Sequence, residues 1–484
     1  MEELDIAAVT RRSIHGVFAL VSRTFFLQLI AFGTNIALTI YLSPIAFGIY
    51  TVVTAVIAFL QYFSDIGLAG ALIQKKEPIT QEDLATTFTI QQTLIFTAVI
   101  LALCLSPFIS NFYHLDQSGT YLLEALIVSF FLSSLKTIPS VILERSLRFE
   151  KLVIPQIVEQ LVFSVTVLFC AIRGFGVTSF TYAVLARGLF GLVTMYIVAP
   201  WMPRIHFSKE TAKKLLSFGI PFQLNSFLGL VKDDLFLAFV GKILPFSQVG
   251  YIGFAQKWAF TPLRLIMDNI IRITFPSFSR LQNEKEYLGK AVEKSLFTLS
   301  LLILPSLVGL VVLAPLFIAI VPKYEKWEPA LLSLSFFAIN AGFASFSTPL
   351  TNALNAIGKI KTTLYLMIFW TAATWIITPI MIMVYGYNGV SIASAIIAVS
   401  SIAVIYITKK YINFSVFNFL AIPLLCSLLM GVLIYFCSKI LPHTISTVIE
   451  LIVFGGLFYF ISVFLLARRE VVADIREIRK HLIK

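Results

Sequence analysis

The sequence predicts an all-α polytopic membrane protein with fourteen transmembrane helices, and three observations lead to this fold class. Residues of the class AVILMFWYC make up 58% of the 484 residues, and charged residues only 13%, against roughly 25% charged in an ordinary soluble domain. The mean hydropathy is +0.91. The apolar residues form long runs, and a helix needs about 20 of them to cross a bilayer. A water-soluble globule is therefore excluded.

Fourteen apolar segments, separated by charged or turn-rich breaks, are each long enough to cross once. We number them as predicted helices 1 to 14. They lie near residues 16–41, 45–73, 85–110, 119–143, 152–172, 176–199, 215–241, 245–276, 291–320, 328–351, 359–384, 388–409, 414–437 and 444–467.

The distribution of Lys and Arg supports this segmentation and orients it. With the N-terminus inside, 25 of the 37 basic residues fall in inside loops or termini and 5 in outside loops. Basic residues concentrate on the cytoplasmic side of membrane proteins. Both termini are therefore predicted to be cytoplasmic.

The two halves of the chain show an internal repeat, as many transporters do. Three pairs match in the same order at offsets of 202, 210 and 213, namely Gly48 with Gly250, Pro139 with Pro349, and Gly176 with Gly389. Each copy holds six helices, an even number, so the copies enter from the same side and are related by a pseudo-two-fold axis along the membrane normal.

The repeat predicts four domains. They are a first six-helix bundle at 1–205, a second at 206–411, accessory helices 13 and 14 at 412–467, and a cytoplasmic tail at 468–484. The tail alternates charge with apolar residues, which fits either an amphipathic surface helix or a solvated tail.

Several functional classes lack their usual residue patterns. The net charge of +12 comes from basic residues scattered at segment ends, with no aromatic-interleaved patch for nucleic acid. The four cysteines have no CxxC spacing, and no HExxH, GxSxG or P-loop pattern occurs. No metal, cofactor or catalytic residue is predicted.

Three short motifs lie in predicted helix 2 and at the end of predicted helix 8. They are Phe63-Ser64-Asp65-Ile66-Gly67-Leu68, Ala71-Leu72-Ile73-Gln74 and Phe275-Pro276-Ser277-Phe278-Ser279-Arg280-Leu281-Gln282. With the Gly48 and Gly250 turns and the duplication, they resemble the Wzx-type polysaccharide flippases of the multidrug/oligosaccharidyl-lipid/polysaccharide exporter (MOP) superfamily. The resemblance implies a V-shaped, MATE-like pair of six-helix bundles around a cavity that opens alternately to each side.

The resemblance also implies a function. Such flippases move an undecaprenyl-diphosphate-linked oligosaccharide from the cytoplasmic to the periplasmic leaflet, for cell-surface polysaccharides such as lipopolysaccharide and exopolysaccharide. The protein would then be a transporter of the bacterial inner membrane and not an enzyme. Its expected partners are the lipid-linked oligosaccharide and membrane lipids, with H+ or Na+ and the polysaccharide polymerase machinery as further candidates.

Seven cations fall inside predicted helices, where each costs about 2.5–3.5 kcal/mol if it faces lipid. They are Arg23, Lys136, Arg187, Lys232, Lys257, Arg264 and Arg272. Most must therefore face water or a partner. One alternative is that interior acids neutralise them, and the available acids are Asp65, Glu159, Asp233, Asp234 and Asp268. Lys136 has the further interpretation that it extends to the inner interface.

Predicted helix 8 carries a polar stripe. At 100° per residue, Lys257, Arg264, Asp268 and Arg272 lie within about 80° of one another. Arginine offers two parallel donors to a phosphate and lysine a mobile point charge. We therefore predict that this stripe, together with Arg23 and Arg187, binds the diphosphate headgroup.

The interior acids and Lys232 are the candidates for gating or ion coupling. Lys232, Asp233 and Asp234 are consecutive in predicted helix 7, which fits a salt-bridge gate or a proton or sodium site. Two amides earlier in predicted helix 7, Gln223 and Asn225, and two in predicted helix 3, Gln91 and Gln92, could hydrogen-bond either sugar hydroxyls or neighbouring helices.

A cation-coupled multidrug exporter of the same superfamily is the alternative function. Such an exporter would favour an acidic, aromatic cavity, so the seven interior cations argue against it and the five interior acids for it. A membrane glycosyltransferase or polymerase would need a large loop with catalytic carboxylates. The longest predicted loops hold about fifteen residues, which disfavours that class.

Overall fold

The computed structural model describes residues 26–64, 67–75 and 77–466. It describes the side chains of all of these except residues 63, 64, 218–226, 272, 273 and 417–419. Throughout this part of the chain the regular structure is helical, which confirms the predicted all-α fold class. The contacts divide the chain into two compact units, and we call residues up to Gly250 unit 1 and residues from Tyr251 unit 2.

Unit 1 contains ten α-helices and a short π-helix among its described residues. The helices are α1 (Phe26–Tyr41), α2 (Pro44–Ser64), α3 (Leu68–Gln74), α4 (Gln81–Tyr113), α5 (Gln117–Ser134), α6 (Thr137–Arg145), α7 (Phe149–Ile172), α8 (Thr178–Val198), α9 (Lys209–Leu230) and α10 (Phe236–Ile243). The π-helix Val231–Leu235 connects α9 directly to α10.

Helix α11 begins in unit 1 and continues into unit 2. The helices from here on are α11 (Phe246–Arg280), α12 (Lys285–Ile320), α13 (Leu331–Ala356), α14 (Ile360–Tyr385), α15 (Asn388–Val399), α16 (Ile402–Lys409), α17 (Val416–Ile440) and α18 (Ile445–Leu466). A 3-10 helix, Glu325–Ala330, leads into α13.

Within the described residues, each of the fourteen predicted segments coincides with one helix or with a run of consecutive helices. The same residues contain ten helical segments long and apolar enough to cross a membrane, or eleven if the bent pair α5 and α6 counts as one span. The protein is therefore a multi-pass membrane protein, and the count of fourteen crossings stays a prediction. The domain boundaries at 205 and 411 follow the repeat and not the contacts, so they also stay a prediction. The tail at 468–484 lies outside the described residues.

Local hydrogen bonds fix where the helices begin and end. At the start of α4 the backbone N–H of Asp83 donates to Thr80 Oγ1 at 3.1 Å, and the backbone N–H of Thr80 donates to Asp83 Oδ2 at 2.8 Å. This capping box satisfies two amides that the helix leaves unpaired. After α14, Gly386 has φ 60° and ψ −146°, a conformation open essentially to glycine alone.

Each unit has its own apolar core. In unit 1, Leu68 and Leu72 of α3 pack with Val141 of α6 and Leu215 of α9. In unit 2, the side chains of α11, α12, α13 and α16 form a second cluster, which includes Phe278, Leu296, Leu350 and Val404. Large apolar side chains also cover the outer faces of α4, α14, α17 and α18, as expected of helices that face lipid.

The last two helices, α17 and α18, pack on α12. Met430 and Tyr459 are buried against Leu313 and Leu316, and the Tyr459 hydroxyl donates to the carbonyl of Leu301 at 2.9 Å. A Cβ on Gly455 would meet the side chain of Ile434, so this glycine allows the two helices to approach closely.

Gly48 in α2 and Gly250 in α11 form a reciprocal close contact within unit 1. A Cβ on Gly48 would overlap the carbonyl oxygen of Phe246, and a Cβ on Gly250 would overlap that of Pro44. The offset of 202 that matches the two glycines also matches Pro44 with Phe246. When residue i of one copy contacts residue j of the other, and residue j of the first contacts residue i of the second, the two copies are related by a two-fold axis. The starts of α2 and α11 are thus related by a local two-fold, in agreement with the predicted repeat.

We expect Gly48→Ala and Gly250→Ala to lower the thermal stability, because each new methyl group would lie on a backbone carbonyl. Overpacking of this kind costs about 1–3 kcal/mol. Gly33→Ala is the matched control, since a Cβ at Gly33 has nothing within 4 Å. Thermal unfolding of the purified protein in detergent measures the effect. Unchanged unfolding midpoints for both Gly48→Ala and Gly250→Ala would contradict the close contact.

Candidate functional site

Three interior charges of unit 1 form a cluster that we call the charge triad, consisting of Lys136, Glu159 and Arg187. The Lys136 ammonium donates a hydrogen bond to Glu159 Oε1, and Arg187 Nε lies 3.7 Å from Glu159 Oε2. The side chains of Lys136 and Glu159 are 12% and 13% exposed, whereas that of Arg187 is 48% exposed. The carboxylate is therefore neutralised mainly by the buried ammonium, and the guanidinium stays accessible.

Helix α8 makes room for the carboxylate of this triad. A Cβ on Gly191 would overlap the side chain of Glu159, which projects from α7. Gly191 follows Arg187 by one helical turn, so both lie on the same face of α8. This face of α8 therefore carries the Arg187 guanidinium and, next to it, the space at Gly191 that accommodates the Glu159 carboxylate.

The break between α5 and α6 carries Lys136, and neighbouring helices hold it in place. The two helices are bent by 41° at the break. Three further hydrogen bonds, each 3.2 Å long, run from Gln92 to Ser134, from Gln91 to Thr137 and from Tyr196 to the carbonyl of Leu135. Each of the residues 134–137 thus has a partner on α4, α7 or α8. Irregular backbone at membrane depth is stable where the protein supplies such partners.

These contacts bear on two of the sequence interpretations. Lys136 is one of the cations that an interior acid neutralises, because its ammonium pairs with Glu159. Gln91 and Gln92 connect helices, which is the second of the two roles considered for them. A sequence signal for the break exists, since Pro139 is favoured in the first turn of a helix and here follows the polar residues 133, 134 and 137.

The charged run of predicted helix 7 falls on the π-helix between α9 and α10. Lys232 Nζ donates to Asp233 Oδ1 at 3.2 Å, and Asp234 lies half-buried beside this pair. Single π-turns within longer helices often mark functional sites. The side chains of Gln223 and Asn225 are outside the described part. Whether Lys232, Asp233 and Asp234 form a gate or an ion site stays a prediction.

Lys257, Arg264 and Asp268 lie on one exposed face of α11 in unit 2. Their helical positions fall within about 40° of one another, and the two cations are separated by about 10 Å along the helix axis. Within the described set of side chains, neither Lys257 nor Arg264 makes an ion pair. The side chain of Arg272 is not described, and Arg23 and Asp65 lie outside the described residues.

Among the interior cations whose side chains the structure describes, two places therefore offer positive charge to an anion, the exposed face of α11 and the half-exposed guanidinium of Arg187. The charge triad has a net charge of +1, because one carboxylate faces two cations. A guanidinium presents a rigid fork of donors that matches phosphate oxygens. The described residues contain no group of three or more His, Cys, Asp or Glu side chains that could hold a metal ion.

Comparison with models of known protein families identifies the family of this chain. The sequence model of the family described as "Polysaccharide biosynthesis protein" matches residues 37–331, more than half of the chain. The chain belongs to this family. The matched region includes the charge triad and the cationic face of α11. The predicted resemblance to Wzx-type proteins of polysaccharide biosynthesis is confirmed.

Similar proteins come from loci and pathways of surface polysaccharides. An "Uncharacterized membrane protein in cps region" of Klebsiella pneumoniae is 26% identical over 328 residues, which cover 66% of each chain. "Lipopolysaccharide biosynthesis protein WzxC" of Escherichia coli (strain K12) is 25% identical over 334 residues, 67% of this chain and 66% of that protein. "Succinoglycan biosynthesis transport protein ExoT" of Rhizobium meliloti (strain 1021) is 22% identical, covering 74% and 70%. The aligned region spans about two thirds of the length of these relatives.

Two solved structures share the fold. The lipid II flippase MurJ in its inward closed conformation matches with a TM-score of 0.77 and 17% identity, covering 93% of this chain and 99% of that one. An inward-facing multidrug resistance MATE family transporter of the MOP superfamily matches with a TM-score of 0.64 and 16% identity, covering 81% and 97%. At these identities the likeness shows the fold alone, and it agrees with the predicted MATE-like fold class.

Proposed function

We propose that this protein is a flippase that moves a polyprenyl-diphosphate-linked oligosaccharide from the cytoplasmic to the outer leaflet, for the synthesis of a cell-surface polysaccharide. Membership in the polysaccharide biosynthesis family supports the pathway. The names of WzxC and ExoT, which refer to lipopolysaccharide biosynthesis and to succinoglycan transport, support the class of cargo. On this proposal the protein is a transporter and not an enzyme.

The observation that carries the proposal is the cationic face of α11. Lys257 and Arg264 have no acid partner among the described side chains, and an unpaired cation facing hydrocarbon costs about 2.5–3.5 kcal/mol. A bound diphosphate would give both cations a counter-charge. The diphosphate would gain counter-charges as well, which its paired negative charges would otherwise lack while they cross the membrane. The polyprenyl tail needs no such path because it stays in lipid. Arg264 would bind phosphate oxygens through two donors, and Lys257 through its ammonium.

The other predicted site residues have proposed roles in the same process. Arg187 would bind the headgroup as well, since Lys136 already neutralises Glu159. We assign Arg23 and Arg272 to the headgroup, and we assign gating or coupling to H+ or Na+ to the interior acids and Lys232. These acids are Asp65, Glu159, Asp233, Asp234 and Asp268. The polysaccharide polymerase machinery is a proposed partner.

We place the protein in the bacterial inner membrane with fourteen crossings and both termini in the cytoplasm. The 25 to 5 asymmetry of Lys and Arg between inside and outside loops supports this orientation. In intact cells, a cysteine introduced at Asn388 should react with a membrane-impermeant reagent added outside, and one at Lys285 should not. Labelling of the Lys285 position from outside, or of the Asn388 position only after lysis, would contradict the topology.

A reconstituted translocation assay tests the function directly. Proteoliposomes receive a defined fluorescent polyprenyl-diphosphate oligosaccharide in one arm and a cationic dye in the other, because multidrug exporters of the same superfamily share the fold. We expect the lipid to change leaflet and the dye to remain excluded. Transport of the dye without movement of the lipid would refute the flippase and favour the multidrug exporter.

A further inference from the structure

A cleft of about 300 Å³ lies in unit 1 beside the break between α5 and α6. Seven of its eleven lining residues are polar or charged, although it lies among helices whose other faces are apolar. Lys136 and Glu159 of the charge triad lie in its wall, together with Ser133, Ser140, Glu144 and Gln156. A broken helix that lines a cavity is how many transporters build a binding site within the membrane.

Three of the polar groups in the wall are not used within the protein. In the described part of the chain, the side chains of Ser133, Ser140 and Glu144 make no hydrogen bond or ion pair. Ser133 is exposed and Ser140 and Glu144 are half-buried, so their polar groups are open to the cleft. The cleft therefore offers two hydroxyls and a carboxylate to whatever occupies it.

The charges of the wall select the class of ligand. A bound metal cation would lie next to the Lys136 ammonium, which already occupies Glu159. An anion would face two carboxylates, those of Glu144 and Glu159. A neutral ligand with several hydroxyl groups meets neither penalty, because hydroxyls both donate to carboxylates and accept from serine and lysine.

The size and position of the cleft narrow the ligand further. About 300 Å³ is the lower end of the range for ligand pockets, which is room for one sugar ring. The wall includes Glu144, Gln156 and Ile73, which lie near the ends of α6, α7 and α3 at the predicted cytoplasmic side. The polyprenyl-linked cargo would be loaded from that side.

We propose that this cleft is a sugar subsite, which binds one neutral sugar residue of the lipid-linked oligosaccharide. The inference rests on the proposed flippase function, and it assigns to unit 1 a role in recognising the glycan that is separate from the binding of the diphosphate. The hydroxyls of Ser133 and Ser140 and the carboxylate of Glu144 bind the sugar hydroxyls. Lys136 and Glu159 form the charged wall beside them.

Protection of single cysteines from labelling tests the subsite. In a background without Cys104, Cys170, Cys426 and Cys437, Ser140→Cys reports on the cleft and Thr261→Cys reports on the cationic face of α11. The full-length protein in lipid nanodiscs is labelled with a small water-soluble thiol reagent. It is labelled alone, with a polyprenyl-diphosphate oligosaccharide, or with the same polyprenyl diphosphate lacking sugars.

At about ten times the dissociation constant, a ligand that covers the cysteine slows labelling roughly tenfold. We expect the oligosaccharide lipid to slow labelling at both positions, and the lipid without sugars to slow it at Thr261→Cys alone. Equal protection of Ser140→Cys by both lipids would overturn the sugar subsite. Protection of Thr261→Cys but not of Ser140→Cys by the oligosaccharide lipid would also overturn the sugar subsite. In that case the cleft would hold only water, and the proposed flippase function would still stand. If neither lipid protected either cysteine, the proposed function would fail as well.

A conservative variant gives an independent readout. Ser140→Ala removes one neutral hydrogen bond worth about 0.5–1.5 kcal/mol, so the apparent KM for the oligosaccharide lipid should rise roughly two- to tenfold. The apparent KM for the lipid without sugars should not change. Ser217→Ala is the matched control, because the Ser217 hydroxyl donates to the carbonyl of Lys214 in its own helix. An equal rise in KM for both lipids in Ser140→Ala would contradict recognition of the sugar.

Discussion

Glu159→Gln should lower the free energy of unfolding by about 3–5 kcal/mol, because it leaves the buried Lys136 ammonium without its counter-charge. Glutamine has nearly the volume of glutamate, so the packing against Gly191 is kept and the effect isolates the charge. The side chain of Lys136 is only 12% exposed, so few water molecules can take the place of the carboxylate. Unfolding of the purified protein in detergent, followed by heating or by denaturant, measures the change.

Two further variants separate the ion pair from a general loss of packing. Lys136→Met combined with Glu159→Gln removes both charges, so most of the lost stability should return, and the coupling energy of this double-mutant cycle should exceed about 1 kcal/mol. Glu210→Gln is the matched control, because Glu210 and Lys214 form an exposed pair at 80% and 74% exposure. Exposed pairs of this kind contribute little to stability. If Glu159→Gln were no more destabilising than Glu210→Gln, the triad would not be a structural ion pair.

The sequence predicted the helical segments because their signal is local. A run of about 20 apolar residues dictates a membrane helix wherever it occurs, and the described residues of the fourteen segments lie in the observed helices. The break within predicted helix 4 escaped prediction. The break at 135–136 depends on partners from other helices, such as Gln92 and Tyr196. Apolar periodicity carries no information about such partners.

The charge triad shows the same limit for the site. The sequence placed Lys136, Glu159 and Arg187 inside the membrane and proposed that acids neutralise some of the cations. The sequence did not show which cations are neutralised. Lys136 and Glu159 are 23 residues apart, and the helical phase and packing that bring them together are properties of the tertiary structure. The stripe on α11 was accessible to sequence analysis, since its members share one helix and their relative angles follow from 100° per residue.

Arg264→Gln should reduce translocation of the polyprenyl-diphosphate oligosaccharide by about one to two orders of magnitude while the protein remains in the membrane at its normal level. A hydrogen bond to a charged group contributes about 1.5–3 kcal/mol, and each 1.4 kcal/mol is about tenfold in affinity. Stability should change little, because Arg264 is exposed and makes no ion pair with the described side chains. Arg264→Lys should keep part of the activity, since the charge survives but the two parallel donors do not.

A control must show that Arg264→Gln reduces transport because it weakens binding of the diphosphate, and not because it lowers the net positive charge of the protein. Arg173→Gln is the matched control, because it removes the same charge from the end of α7, where the guanidinium lies 5.1 Å from the ring centre of Phe169. We expect this control to transport normally. Lys257→Gln should behave like Arg264→Gln, since both cations lie on the same face of α11, and each should weaken the binding of polyprenyl diphosphate without sugars as much as that of the full substrate. Normal transport by Arg264→Gln and Lys257→Gln together would rule out the cationic face as the headgroup site.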